Sequence, residues 1–419
     1  MAASSVAILN PFDPLWVEEK REGRYAYLAR RLAERGFAVT WITSDWSHRH
    51  KRRRDTAAIQ AAGASVGVRV EFVATRPYLK NISVGRLWSH AQSSKAAARL
   101  LQTLAPDVVV VSSPPPELAG RAVAVARRVG AASIVDVQDL WPSTFRRFWP
   151  PGLKWMNRIV FRPQRAAYAR ACRYADALVG VAEEYVADAR LFGRTRRTEV
   201  IHIGIDVAAF DAAARAGRNL LEGERGPDRP VLFWGGTISA PTDWPCTLEA
   251  LARLLSRYPT LLLAVVGTGP DEPAMRAAVA ERGLGEHVRF FGFQPYEAYV
   301  ATLLRSDVAI HAMRADSEVA FPNRPFDFMA SGKPIVNSVV GEFGDLVERE
   351  GIGLNYPAES AERMAEAFAR LLDNKDLCRD LGRRGRRLAE ERFERSIEYE
   401  RYIKLCEVLA AKPRRRPTG

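Results

Sequence analysis

Arg324 and Asp327, three residues apart in the stretch FPNRPFDFMASGKPIV (321–336), are the side chains of this 419-residue sequence best spaced for ligand chemistry. A Pro322-Asn323 turn leads into a short predicted helix that Gly332 and Pro334 end. Asn323 is placed to cap that helix, and Pro325 falls in its first turn, where a missing N–H costs nothing. Residues at this spacing share a helix face. Arg324 is therefore expected at the positive end of the helix dipole, beside backbone N–H groups that favour an anion such as a diphosphate. Asp327, one turn on, can accept two hydroxyl hydrogen bonds, as a ribose 2′,3′-diol would offer. The competing reading is a solvated ion pair at a helix start, worth little energetically. VLFWGGTIS (231–239) adds Gly235-Gly236-Thr237 directly after a predicted strand, where backbone N–H groups and the Thr237 hydroxyl can approach a phosphate.

Strand–helix alternation must position these groups. Ser5–Leu9 reads as a strand, Arg24–Arg35 as a helix with Tyr25, Leu28, Ala29 and Leu32 on one face, and 37–43 and 68–74 as further strands. Asp107–Ser112 (DVVVVS) has the unbroken apolar character of a buried parallel strand. A helix near 117–129, a strand at 133–137, a long helix around 158–174 and strands at 177–181 and 199–203 follow. Residues 214–229 are polar and glycine-rich and read as a linker, after which the alternation restarts. The pattern predicts two doubly wound α/β domains, each a mostly parallel sheet with helices on both faces, and a ligand cleft between the carboxyl ends of their strands. The expected limits are 1–215 and 216–395, with a final helix over 396–412 returning to the first domain and a basic tail at 413–419.

The charge is lopsided. The chain carries a formal net charge of +13, yet residues 1–200 hold 32 Lys+Arg against 17 Asp+Glu, a net +15, and the remainder is −2. An anionic partner is thus expected to meet the first half. From Thr144 to Ala175 there are eight basic residues and no acidic one, interleaved with aromatic and aliphatic side chains. Arg146, Arg147, Trp149, Trp155 and Arg158 are the expected membrane-facing set, since an apolar stretch flanked by cations suits an anionic bilayer surface. HRHKRRR (48–54) is a second basic cluster. No nucleic-acid-binding module is visible, and nucleic acid is not expected as a partner. No run of 18 apolar residues occurs, so no segment is expected to span a membrane, and the opening MAASSVAILNPF reads as a first strand. Cys172, Cys246, Cys378 and Cys406 are far apart without metal spacing, which predicts reduced thiols and a cytoplasmic setting.

The 321–336 segment resembles the donor-binding helix of retaining family-4 glycosyltransferases of the bacterial surface-polysaccharide type, whose pattern is N-K-x-F-D-x-x-A-x-G-K-P. Asn323, Phe326, Asp327, Ala330, Gly332, Lys333 and Pro334 match, and Arg324 stands where Lys is usual. The resemblance implies a GT-B fold, a nucleotide-sugar donor, a lipid-linked or cell-surface glycan acceptor, retention of configuration, and no metal or other cofactor. It assigns Gly236 and Thr237 to the start of the phosphate-binding stretch, although the Arg and Lys that usually follow are absent. Gly267 and Gly269 of VVGTGP match the family's next loop, and Phe293 of VRFFGFQP matches its base-holding loop, which reads mostly through backbone. Glu318 is implied as a ligand of the donor sugar, one position out of the usual register.

In the first half, VDVQDLWPST (135–144) resembles the D-L-W-P segment of the same subgroup. Asp139 is implied at a strand's carboxyl end, orienting the acceptor hydroxyl or stabilising positive charge at the sugar carbon; the competing reading is a turn cap. Trp141 and Gly23, the latter where the family has a glycine-rich loop, are the acceptor-side residues. Arg324 and Asp139 are the catalytic pair under this reading, in a protein peripheral at the inner face of a membrane. Two other readings fit the same outline: a nucleotide-sugar 2-epimerase of the same architecture, and a non-catalytic relative that binds membrane or nucleic acid.

Overall fold

A computed structural model describes residues 3–411 except Lys20, Ile82, 194–196, 225–228 and Glu318. The predicted tail at 413–419 lies outside the described residues, as does part of the predicted linker. Two compact units result: Met1–His202 with Tyr399–Gly419, and Ile203–Glu398.

The first unit is built on seven parallel strands, β1 (Ser5–Leu9), β2 (Ala38–Ser44), β3 (Val68–Val73), β4 (Val108–Ser113), β5 (Ala132–Val137), β6 (Ala177–Gly180) and β7 (Thr198–Val200), in the order β3-β2-β1-β4-β5-β6-β7. Strand β4 is buried along its whole length, which is why its sequence shows no alternation. The order reverses at β1, so the loops leaving β1 and β4 diverge and open a crevice at the sheet's carboxyl edge. Tyr399, Tyr402, Ile403 and Cys406 of the final helix, Arg395–Ala410, join Tyr25, Trp41 and Val110 in one core. A buried ion pair threads that core. Arg24 lies 2.9 Å from Asp136, which also accepts from the hydroxyls of Tyr25 (3.0 Å) and Tyr402 (3.2 Å). With every acceptor engaged, the pair is tolerable in the interior and ties the first helix, β5 and the last helix together.

Three expectations change in this unit. The long helix around 158–174 is two helices, Met156–Val160 and Arg162–Tyr174, because Pro163 cannot donate to the preceding turn. The 48–54 cluster is not one open basic surface: it sits on a small ribbon, Trp46–Ser47 with Arg52–Arg53, and Arg54 is buried against Glu18 at 2.7 Å. A 21-residue helix, Val84–Leu104, was not expected at all. Its buried face consists of Arg86, Ser89, His90, Ser93, Ser94, Ala97 and Leu101, so hydrophobic periodicity is nearly absent.

The second unit has six parallel strands, β8 (Val231–Gly235), β9 (Leu262–Val266), β10 (Val288–Gly292), β11 (Val308–His311), β12 (Ile335–Asn337) and β13 (Gly353–Asn355), ordered β10-β9-β8-β11-β12-β13. Its order also reverses at the first strand, here β8. The boundary falls at 202/203 and not at 215/216. The helix Val207–Ala216 belongs to the second unit, where Asp211 pairs with Arg386 at 2.7 Å. Leu221, within the predicted linker, is buried against Val231, Leu262 and Ala264. All four cysteines are free thiols, and burial pushes Cys172 and Cys246 up to about 12. No helix among the described residues is long and apolar enough to cross a membrane.

Candidate donor site

The predicted donor residues of the second unit gather where the loops leave the carboxyl ends of β8, β9, β10 and β11. Gly236 follows β8 with φ +108°, and a Cβ there would lie 2.7 Å from Cδ of Arg324. The bare glycine is what lets the arginine side chain lie flat on the loop. Gly267 (φ +150°) and Gly269 serve the same packing from β9, since a Cβ on either would collide with the carbonyl oxygen of Gly236 or Ile238. These glycines are thus needed for loop-on-loop approach.

The loop's backbone donors differ from expectation. The Gly236 N–H donates to Val266 O (2.9 Å) and the Gly267 N–H to Gly292 O (2.8 Å), so the glycine amides extend the sheet and are not open to a phosphate. Thr237 is exposed, and its amide and hydroxyl make no hydrogen bond among the described residues. Thr242 and Asp243, at the place of the family's basic pair, are buried: Thr242 closes the Ser239 turn, and Asp243 caps the helix Trp244–Leu254 and accepts from the Glu359 N–H (2.9 Å).

Arg324 opens the helix Arg324–Ser331. Its guanidinium donates to Gly235 O (3.0 Å) and reaches Met313 Sδ (3.5 Å), and it forms no ion pair among the described residues. Desolvation pulls its pKa below the ordinary arginine value, as for a cation partly held from water with no ion pair among the described residues. Arg324 and Asp327 therefore do not pair with each other. Asp327 is 7% exposed and accepts from the Tyr296 hydroxyl at 2.7 Å. Beneath Arg324, His311 is fully buried, with Nδ1 3.2 Å from Asn337 Oδ1 and Nε2 without a partner among the described residues. Burial and the arginine's charge hold it down at about 3, so its ring is neutral. Sequence reasoning missed His311, which looked like the end of an apolar strand.

Asn323 precedes the helix but makes no capping bond. Its own backbone is helical (φ −78°, ψ −34°), so the exposed side chain does not face the free amides. Phe293 is 74% exposed just beyond β10. Glu318 lies outside the described residues. Among those residues no cluster of three or more His, Cys, Asp or Glu has metal-binding geometry.

The first unit's predicted residues sit at its own carboxyl edge. Gly23 precedes the helix Arg24–Glu34, and a Cβ there would press on Asp13 Oδ2 at 3.3 Å. Asp139 is half-buried two residues past β5, and its carbonyl takes the Trp141 N–H at 2.9 Å. Trp141 is buried, with the Arg86 guanidinium 4.5 Å from its ring centre and Phe145 at 4.6 Å. Of the expected membrane-facing set, Arg146, Arg147, Trp155 and Arg158 are exposed, and Trp149 is only half-exposed. Leu153, Ile159 and Val160 are exposed beside them.

Two parallel doubly wound sheets define a GT-B architecture. The Anabaena HepE protein, solved in complex with UDP, superposes with a TM-score of 0.68 over 97% of this chain and 100% of its own, at 14% identity. The family model described as Glycosyltransferase Family 4 matches residues 23–209, and that described as Glycosyl transferases group 1 matches 243–388. The chain belongs to the family-4 type of GT-B glycosyltransferases. A phosphatidyl-myo-inositol mannosyltransferase of Mycolicibacterium smegmatis is 30% identical over 174 residues, 42% of each chain. A D-inositol 3-phosphate glycosyltransferase of Nocardia farcinica is 30% identical over 223 residues, 50% of this chain and 48% of its own. The chain spans about half the length of the curated relatives it matches.

Proposed function

We propose that this protein transfers a sugar from a nucleoside-diphosphate sugar, bound to the second unit, to a hydroxyl of a lipid-linked or cell-surface glycan, with retention and without metal. One observation carries this reading. Arg324 is a half-buried cation with no ion pair among the described residues, at a helix N-terminus, on a glycine loop, at the carboxyl edge of a parallel sheet. An uncompensated charge in that place is poorly explained by stability and well explained by a dianionic ligand.

Under this reading the anomeric carbon–phosphate bond breaks as the acceptor oxygen attacks from the same face, and the acceptor's proton passes to the leaving diphosphate. Arg324 stabilises the charge that develops on that leaving group, a contribution of about 10²–10³ in rate for a well-placed donor. Thr237 offers a further amide and hydroxyl, while Asp327, fixed by Tyr296, faces the nucleoside. Asp139 serves the acceptor side. The basic, apolar 146–162 surface holds the first unit at the anionic inner face of a membrane, where each Lys or Arg near the surface adds about 1 kcal/mol.

A panel of UDP-, GDP- and ADP-sugars, assayed for binding and for slow hydrolysis in the absence of acceptor, tests the proposal. Saturable binding and turnover of at least one member are expected. A chain that binds no nucleotide sugar of the panel is not a transferase of this kind.

A further inference from the structure

The helix Val84–Leu104 buries charge where helices usually bury hydrocarbon. Arg86 is 8% exposed and His90 3%. The guanidinium stands over Trp141 (4.5 Å), Phe12 (5.5 Å) and Tyr78 (5.9 Å), a box of three rings. It donates to Asn81 O (2.6 Å) and to His90 Nε2 (3.3 Å). Arg86 forms no ion pair among the described residues, and the carboxylate whose charge it feels is Asp139. Lys51 adds a second cation, 5.0 Å from the Tyr78 ring, with Nζ 3.2 Å from His48 Nδ1.

Proton bookkeeping gives the cluster a consistent polarity. Because Arg86 donates to His90 Nε2, the proton of a neutral His90 sits on Nδ1, and that buried atom has no partner among the described residues. His48 Nδ1 is engaged by Lys51 and by the Tyr78 hydroxyl (2.8 Å), which leaves the proton of a neutral ring on Nε2. Burial together with the neighbouring cations holds both rings down at about 3. Among the described residues the cluster therefore offers one buried donor without an acceptor, His90 Nδ1–H, beside two cations, of which Lys51 also donates to Asn81 Oδ1 (2.6 Å). Phe12, His48, Tyr78 and the Asp139–Trp141 segment follow β1, β2, β3 and β5, so the cluster stands at the crevice where the sheet order reverses.

The geometry points to a phosphate-binding subsite around Arg86, His90, His48 and Lys51, which selects an acceptor bearing a phosphate group near its reactive hydroxyl. This deepens the transferase reading and rests on it for the word acceptor. The aromatic box keeps the guanidinium dry and fixed, and the planar fork suits two phosphate oxygens. Half-buried Phe12 supplies an apolar face for a sugar or inositol ring beside the phosphate, while buried Trp141 backs the guanidinium. A soluble sugar phosphate and a lipid headgroup share this chemistry.

Histidine-selective NMR of the full chain, with ring signals assigned through single His→Gln variants, tests the assignment. The six histidines include His48 and His90 at this site and His311 at the donor site. Inorganic phosphate is expected to shift His48 and His90 saturably, at least tenfold more weakly in Arg86→Gln and in Lys51→Gln, with Arg86→Lys, which keeps the charge but not the fork, falling between. Glucose 6-phosphate or dihexanoyl phosphatidylinositol should then displace the phosphate, and whichever does so identifies the soluble or the lipid source. Unmoved His48 and His90 signals, or equal shifts in Arg86→Gln, overturn the subsite, and so does displacement by neither probe. UDP shifting His311 while phosphate leaves His48 and His90 still would sink this inference alone. The converse would sink the donor-site reading alone.

Discussion

Replacing Arg324 by methionine separates ligand recognition from fold stability, because the structure gives the two effects opposite signs. The guanidinium makes one protein hydrogen bond to a carbonyl, Gly235 O at 3.0 Å, and no ion pair among the described residues. Partial desolvation of that charge opposes folding. Methionine keeps the flexible apolar stem over Gly236 and removes the charge. Loss of one net hydrogen bond, about 1 kcal/mol, is offset by relief of a desolvated cation, so stability should change by less than about 1 kcal/mol or rise. Two charge-assisted bonds to a diphosphate are worth roughly 1.5–3 kcal/mol each. Their loss predicts at least about 3 kcal/mol of donor affinity, more than a hundredfold in Kd. Calorimetric titration with UDP and GDP, beside thermal melting of the free proteins, measures both quantities. Arg324→Lys keeps the charge but not the fork and should fall between. Undiminished nucleotide binding by the methionine variant would refute the argument. A parallel collapse of Tm would equally show that the arginine is a structural residue.

Gly267→Ala places a methyl group against the Gly236 carbonyl at a backbone angle that disfavours side chains, so a loss of about 3 kcal/mol or more is expected in chemical denaturation. His48, His90 and His311 are each held near 3 in the folded chain, below the ordinary 6.5. Depressed bases contribute stability that is complete above about pH 6.5 and fades as pH falls towards 3, by up to about 1.4 kcal/mol per unit for each ring. Melting curves from pH 7 to 5 should show a steep loss that His311→Gln flattens in the second unit. Trp155→Ser with Ile159→Ser removes two side chains that are 57% and 63% exposed, leaving the fold intact. Flotation with phosphatidylglycerol vesicles should weaken several-fold, whereas UDP binding should not change; unaltered flotation would remove the 146–162 surface from the membrane assignment.

Much of this molecule follows from one-dimensional pattern. The DVVVVS run, the amphipathic helix at 24–34 and the restart of alternation at Val231 are local consequences of burial on one or both faces, so the doubly wound class was legible. Turn chemistry likewise marked Gly236, Gly267 and Arg324, because an arginine at a helix start after Pro-Asn and glycines after strands are readable as types and spacings. Where the pattern failed, the cause was a polar interior. The helix Val84–Leu104 buries arginine, serine and histidine, leaving no stripe to detect, and Asp136 was overlooked beside the more conspicuous Asp139.

Residue type and spacing determined the architecture and the neighbourhood of the donor loops. Tertiary packing decided the chemistry inside them. Only the fold shows that Arg324 turns away from Asp327 towards Gly235, that Tyr296 occupies Asp327, and that the glycine amides complete the sheet. Partner choice for a buried polar atom depends on groups brought in from distant strands. The free-energy difference between a paired and an unpaired charge therefore has no local sequence signature.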